Sequence, residues 1–349
     1  MKKRLAALVA VLSLSFGMLV GCGSSGENIN VAEGMVKIQQ LDYQGALESF
    51  EAAIEAGENE RLTYRGIGIA YMGLTDYGQA IENLVTCLKL SDGMVQDIDF
   101  DVNYYLATAY YKNGDIQEAA DTYTAILNLR PEEVDAHYLR GTALLTLGDY
   151  EEARKDFDQV LSLTGGNCDR LIAIYQSLEA HGYQEIGQQY LQKTLDEKGD
   201  KLKDYDKGRI YYYMRDYLQA CNYLEKSKDT GTAESYLYLG KAYEATGDYN
   251  YASSVYTSYV AKDSANAEVY NQLGLCRLQQ GEYQLALDAF QTAMNIENNG
   301  MMQTLQFNEI VAYEYLGEYQ KAAVLMDNYV SMYPDDAVAQ REYEFLKTR

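Results

Sequence analysis

Tryptophan is absent from this chain, and proline and histidine occur only twice each in 349 residues. With Pro131 and Pro334 as the sole prolines, most of the sequence is open to uninterrupted helix, since proline breaks a helix wherever it falls inside one. The histidines, His137 and His181, have no cysteine, serine or carboxylate at a spacing that suggests a triad or a metal box, and both are expected to be structural. Basic residues are scarce: 29 Lys and Arg face 52 Asp and Glu, a net charge of −23 with a pI near 4.4. A surface this acidic repels phosphate backbones and anionic headgroups, so nucleic acid is excluded as an expected partner. Beyond Cys22, the cysteines Cys87, Cys168, Cys221 and Cys276 lie 81, 53 and 55 residues apart with no Cys-x-x-Cys, which leaves no zinc box and predicts free, mostly buried thiols. No segment sustains the two-residue alternation of a strand. Gly66-Ile67-Gly68 lacks a third glycine and a preceding strand, and Gly240-Lys241 lacks the Ser or Thr of a phosphate loop. No catalytic residue, metal or cofactor is expected, and the chain does not read as an enzyme.

What the chain has in abundance is tyrosine, 35 residues against seven Phe, and glycine at regular intervals. The stretch Glu234–Val260 displays the unit. Tyr236, Leu239 and Tyr243 recur at helical spacing around Gly240, Gly247-Asp248 interrupts, and Ala252, Tyr256 and Tyr259 share one face of a second helix. Helices this short are marginal alone and must pack on each other. Gly240 and Ala252 are small enough to let the two axes approach. The alanine position recurs at Ala46, Ala80, Ala119, Ala153, Ile186, Ala220, Ala252, Ala286 and Ala322, at spacings of 34, 39, 34, 33, 34, 32, 34 and 36. Twelve residues before each stands a glycine position: Gly34, Gly68, Ala107, Gly141, Ile174, Gly208, Gly240, Gly274 and Ile310. Four residues after each comes a large side chain: Phe50, Leu84, Tyr123, Phe157, Tyr190, Leu224, Tyr256, Phe290 and Met326. Both prolines fall twelve residues past their alanine, where a helix must end.

Nine copies in register resemble the tetratricopeptide repeat family, from about Glu27 to Pro334. The resemblance implies an all-α fold, a right-handed superhelical solenoid of nine helix hairpins over residues 28–334. Residues 335–349 then read as a capping helix, with Val338, Tyr343, Phe345 and Leu346 available to cover the last apolar face. The fifth copy, with Ile174 and Ile186 in place of small residues, is expected to hold its two helices apart. Asp76 with Gln79, Asp115 with Glu118, Asp149 with Glu152 and Asp216 with Gln219 predict capping boxes at second-helix starts.

The only long apolar run is Leu5 to Val20, behind Lys2-Lys3-Arg4. At sixteen residues it is shorter than the roughly 20 a membrane-spanning helix needs, and it suits a secretion signal over residues 1–21. Leu19-Val20-Gly21-Cys22 resembles the bacterial lipobox. That resemblance implies cleavage before Cys22, lipidation of its thiol, and attachment outside the cytoplasmic membrane, or in the periplasm of a two-membrane host. Residues 22–27 would form a flexible tether.

In the family, the first helix of each hairpin lines a concave groove. Residues projecting there would include Arg65, Met72, Tyr104, Tyr111, Tyr138, Tyr175, Tyr205, Arg209, Tyr212, Lys241 and Phe307. A tyrosine-rich groove with a few bases suits a protein or peptide partner, tyrosine giving large contact area and arginine charged anchors. The expected function is therefore a membrane-anchored scaffold holding an extended peptide or helix of another envelope protein. The alternative is a cell-wall glycan binder, since tyrosine faces also stack on sugars.

Overall fold

The computed structural model describes residues 28–228 and 232–349. The leader, the lipidation candidate Cys22 and the tether lie outside the described residues. Among those described there are nineteen α-helices, one 3-10 turn and no strand. No helix among them is long and apolar enough to cross a membrane. The chain divides into two compact units, Met1–Tyr190 and Leu191–Arg349. Repeat spacing marks no boundary there, but the division falls in the fifth hairpin, where the small-residue pattern lapses.

The first unit stacks the hairpins α1 (Ile29–Gln39) with α2 (Tyr43–Glu55), α3 (Glu60–Gly73) with α4 (Tyr77–Lys89), α5 (Asp97–Asn113) with α6 (Ile116–Leu129), and α7 (Val134–Leu147) with α8 (Tyr150–Leu163). Then come α9 (Cys168–Ala180) and α10 (Gln184–Lys198), the latter containing the division. In the second unit α11 (Asp204–Tyr213) pairs with α12 (Tyr217–Ser227), α13 (Ala233–Thr246) with α14 (Tyr249–Val260), α15 (Ala267–Gln279) with α16 (Tyr283–Met294), and α17 (Met302–Tyr315) with α18 (Tyr319–Met332). A last helix, α19 (Ala337–Leu346), follows. Each unit is an all-α repeat solenoid in which successive helices pack on one another, as α3 does on α4 and α11 on α12, and first helices also pack together, as α1 does on α3 and α13 on α15.

The hairpins close by a knob entering a notch. A methyl group added at Gly34 would stand 2.5 Å from Cε1 of Phe50, and at Gly141 2.7 Å from the Phe157 ring. In the second unit the corresponding distances are 2.5 Å for Gly208 against Leu224, 2.2 Å for Gly240 against Tyr256 and 2.4 Å for Gly274 against Phe290. Real side chains do not approach so closely, so these glycines let the facing side chain fill the space where a Cβ would be. Gly66 faces Phe50 of the preceding hairpin at 2.3 Å while Gly68 faces Leu84 at 2.6 Å. The Gly-Ile-Gly run is thus a double packing notch. The knobs Phe50, Leu84, Phe157, Tyr256 and Phe290 are wholly buried.

The fifth hairpin departs from expectation. Ile174 fills the notch, but one residue on, Tyr175 turns its ring onto Gly187, where a methyl would stand 2.9 Å from Cδ2. Knob and notch have exchanged helices and shifted by one position, so the pair stays close. At the end of the chain, α19 is held by Ala339 and Leu346, both buried, whereas Val338 and Phe345 remain 45% and 42% exposed. Of the capping boxes, Asp76, Asp149 and Asp216 do accept the N–H of the residue three on, at 3.1, 3.3 and 3.2 Å. Asp115 makes no such cap, its carboxylate accepting instead from the Asn113 amide at 2.6 Å.

Candidate functional site

The wall formed by the first helices is built separately in each unit. In the first, side chains 35 or 36 residues apart bond from one first helix to the next. Arg65 of α3 donates to Asp101 of α5 and lies 6.0 Å from the Tyr105 ring centre. Tyr111 of α5 meets Thr146 Oγ1 of α7 at 3.0 Å, and Thr146 in turn meets His181 Nε2, just past α9, at 3.0 Å. Thr142 and Ser177 approach to 3.2 Å, and Tyr138 donates to the Ala173 carbonyl at 3.4 Å. These rungs fix the helix-to-helix register and leave Met72, Tyr104, Tyr105, Tyr111 and Tyr138 half-buried, each with part of its surface in solvent. Burial raises the pKa of Tyr105 and Tyr138, so both hydroxyls stay protonated donors at neutral pH.

In the second unit a tyrosine cluster occupies the equivalent position. Tyr212 packs edge-on against Tyr213, Tyr217 and Tyr238 at 5.5, 5.7 and 5.5 Å, and Tyr205 against Tyr238 at 6.3 Å. The Tyr213 and Tyr238 hydroxyls share a hydrogen bond of 3.0 Å. Burial, with the neighbouring Tyr217 and Tyr213 hydroxyls, pushes Tyr212 up to about 12. Further along, Lys241 Nζ bonds Glu268 at 3.1 Å and Asn308 donates to Asn271 at 2.7 Å. Phe307 leans on Tyr329 at 5.7 Å.

Two of the expected groove residues cannot meet a partner. Tyr175 is 1% exposed because it has become the knob of the fifth hairpin, and Arg209 is 6% exposed beneath Tyr205, bonded to Asp206. Both stand one residue past the notch, where Ile69 is buried as well but Thr142, Lys241 and Leu275 are only partly buried. Partly exposed side chains also come from two residues before the notch, at Tyr105, Tyr238 and Asn308, and from five after it, at Tyr213 and the exposed Thr146, although Ile172, two before the notch of the fifth hairpin, is buried. The sequence reading passed these over, and its only available signal was the same repeat register displaced by one side chain. The expected cationic anchors are also engaged internally, Arg65 with Asp101, Arg209 with Asp206 and Lys241 with Glu268.

His137 has an unforeseen partner. Its Nδ1 lies 2.7 Å from Asp156 Oδ1 and its Nε2 2.9 Å from the Pro131 carbonyl. Arg140 clamps the same carboxylate with two bonds, at 2.8 and 2.7 Å. Asp156 is 2% exposed, and with no nucleophile among these contacts the arrangement reads as a staple between α7 and α8. The sixteen-residue offset from Arg140 to Asp156 equals that from Gly141 to Phe157, so the hairpin register contained the signal. The four cysteines described are free and buried, and burial raises the thiols of Cys87 and Cys221 to about 11. Among the described residues no His, Cys, Asp and Glu cluster could hold a metal.

The tetratricopeptide repeat family model matches residues 104–167 and 237–298. No curated protein matches the chain. Among solved structures, a tetratricopeptide repeat protein from Parabacteroides merdae is 18% identical and aligns over 82% of this chain and 100% of its own, with a TM-score of 0.44. MamA is 23% identical over 51% of this chain and 95% of its own, at 0.42. YrrB, described as a repeat protein with an unusual peptide-binding site, is 17% identical over 64% and 99%, at 0.36.

Proposed function

We propose that this chain, a member of the tetratricopeptide repeat family, is a non-catalytic scaffold that holds an extended segment of another protein against its first-helix walls. The observation that carries this reading is the row of half-buried tyrosines on those walls, held in register by hydrogen bonds from helix to helix. Aromatic rings immobilised before binding present contact area at little further entropic cost. The basic-then-apolar leader and Leu19-Val20-Gly21-Cys22 support a second part of the proposal, that the scaffold is a lipoprotein held outside the cytoplasmic membrane through Cys22.

Crosslinking in cells followed by affinity recovery tests the first part. Wild type should recover a partner that Tyr111→Ala/Tyr138→Ala and Tyr212→Ala/Tyr238→Ala variants lose, and equal recovery by both variants would sink it. Metabolic labelling with an alkynyl fatty acid tests the second, with incorporation expected in wild type and absent from Cys22→Ala. A glycan ligand would appear instead as retention on purified peptidoglycan with no protein recovered.

A further inference from the structure

Residues 28–190 contain ten Lys and Arg against 27 Asp and Glu. Eight of the ten basic side chains are tied in ion pairs within the unit: Lys37, Arg61, Arg65, Arg130, Arg140, Arg154, Lys155 and Arg170. Of the remaining two, Lys89 belongs to a second helix and Lys112 lies in the last turn of α5. An anionic segment laid on the first-helix wall would therefore meet almost no available cation, and it would approach against a surplus of carboxylates. Asp97, Asp99 and Asp101 of α5 and Glu133 and Asp135 at the start of α7 are the partners of Arg130, Arg61, Arg65 and Arg170, so the acidic surplus of the unit resides in its remaining carboxylates. The partly exposed rings of Tyr105, Tyr111 and Tyr138 are the complementary surface for a cation, and the chain already uses such contacts itself. Arg130 sits 3.5 Å from the Phe100 ring centre, and Arg65 lies near Tyr105.

We infer that the wall of the first unit takes a basic, extended peptide, whose Lys or Arg side chains lie over its tyrosine rings and beside its carboxylates. This deepens the scaffold reading and rests on it. Adjacent first helices stand roughly 8–10 Å apart, and an extended chain rises about 3.3 Å per residue. The peptide should thus carry a basic residue at about every third position.

The test is a random twelve-residue peptide library panned against the detergent-solubilised full-length protein at physiological salt. Winning peptides are then measured by fluorescence anisotropy on wild type, Tyr111→Ala/Tyr138→Ala, Tyr111→Phe/Tyr138→Phe and Tyr212→Ala/Tyr238→Ala. Enrichment in Lys and Arg is expected, with binding about tenfold or more weaker in the alanine variant and largely retained in the phenylalanine one. The alanine variant keeps the net charge, so basic peptides that bind it as well as wild type would reveal charge attraction alone and overturn the inference. Acidic or uncharged winners that depend on the same rings would overturn it while leaving the scaffold reading intact. Winners indifferent to ring removal in either unit would remove both.

Discussion

Substituting Gly240 by alanine sets two known effects against each other. In an exposed helix the change stabilises by about 0.5–1 kcal/mol, because alanine loses less backbone entropy on folding. At this notch the new methyl would stand 2.2 Å from Cζ and 2.3 Å from Cε1 of Tyr256, whose side chain is wholly buried and whose hydroxyl is bonded to Glu244. The ring must move by more than 1 Å, or α13 and α14 must spread, and overpacking of this kind costs about 1–3 kcal/mol. Packing should win, with a net loss of roughly 1–2 kcal/mol. Because repeats unfold through nearest-neighbour contacts, amide hydrogen exchange along α13 and α14 is the sharper assay. Protection there should fall roughly fivefold to thirtyfold. Tyr256→Ala alone should cost about 3–5 kcal/mol. In its background Gly240→Ala should become neutral or stabilising, a coupling of at least ~1 kcal/mol. Gly247→Ala serves as the contrast, since Gly247 has φ +84 and no atom near its would-be methyl, so only backbone strain of about 1–2 kcal/mol is at stake there. A more stable Gly240→Ala protein, or additive effects in the double variant, would refute the knob-and-notch account. The pairing of Ala107 with Tyr123 in the third hairpin shows that such a methyl can be accommodated where the chain around it has adjusted.

Asp156→Ala should destabilise the first unit by about 3–5 kcal/mol in denaturant titration, because it leaves the Arg140 guanidinium and the His137 ring without their shared buried partner. Tyr175→Ala should behave as a core truncation costing about 3–5 kcal/mol, whereas Tyr138→Ala should cost clearly less and be felt in binding; similar losses of stability at the two would contradict their assignment to core and wall. Glu314 of α17 is raised to about 7 by burial, reinforced by the facing charge of Glu342 on α19. A carboxyl with a raised folded-state pKa favours folding fully below its unfolded value near 4.5, and that contribution disappears as pH climbs through 7. Exchange protection of α19 should accordingly drop between pH 5 and 8, and Glu342→Gln should flatten the profile; an unchanged slope would count against the pair.

Periodicity alone was enough to place the hairpins, since the glycine and large-residue positions sixteen apart face each other as the spacing requires. It was also enough to foresee free buried cysteines and a helix after Pro334. The wall was legible only in outline. A stripe read from a helical period is uncertain by about one side chain in rotation, roughly 100°. That is enough to confuse buried side chains such as Tyr175 and Arg209 with partly exposed ones such as Tyr105 and Tyr238. The capping helix shows the same error in part: Leu346 is buried as expected, but Val338 and Phe345 are exposed and Ala339 takes the inner position.

What the order of residues determined by itself is the local repeat: short helices, their breaks, and which small residue must meet which large one, because these follow from contacts within some twenty residues of chain. What only the tertiary structure decided is which side chains remain for a partner. The exchange of knob and notch at Tyr175 and Gly187 and the ion pairs that occupy Arg65 and Lys241 depend on how helices rotate against one another. That rotation is set by the packing of whole side-chain surfaces, which a one-dimensional spacing does not specify.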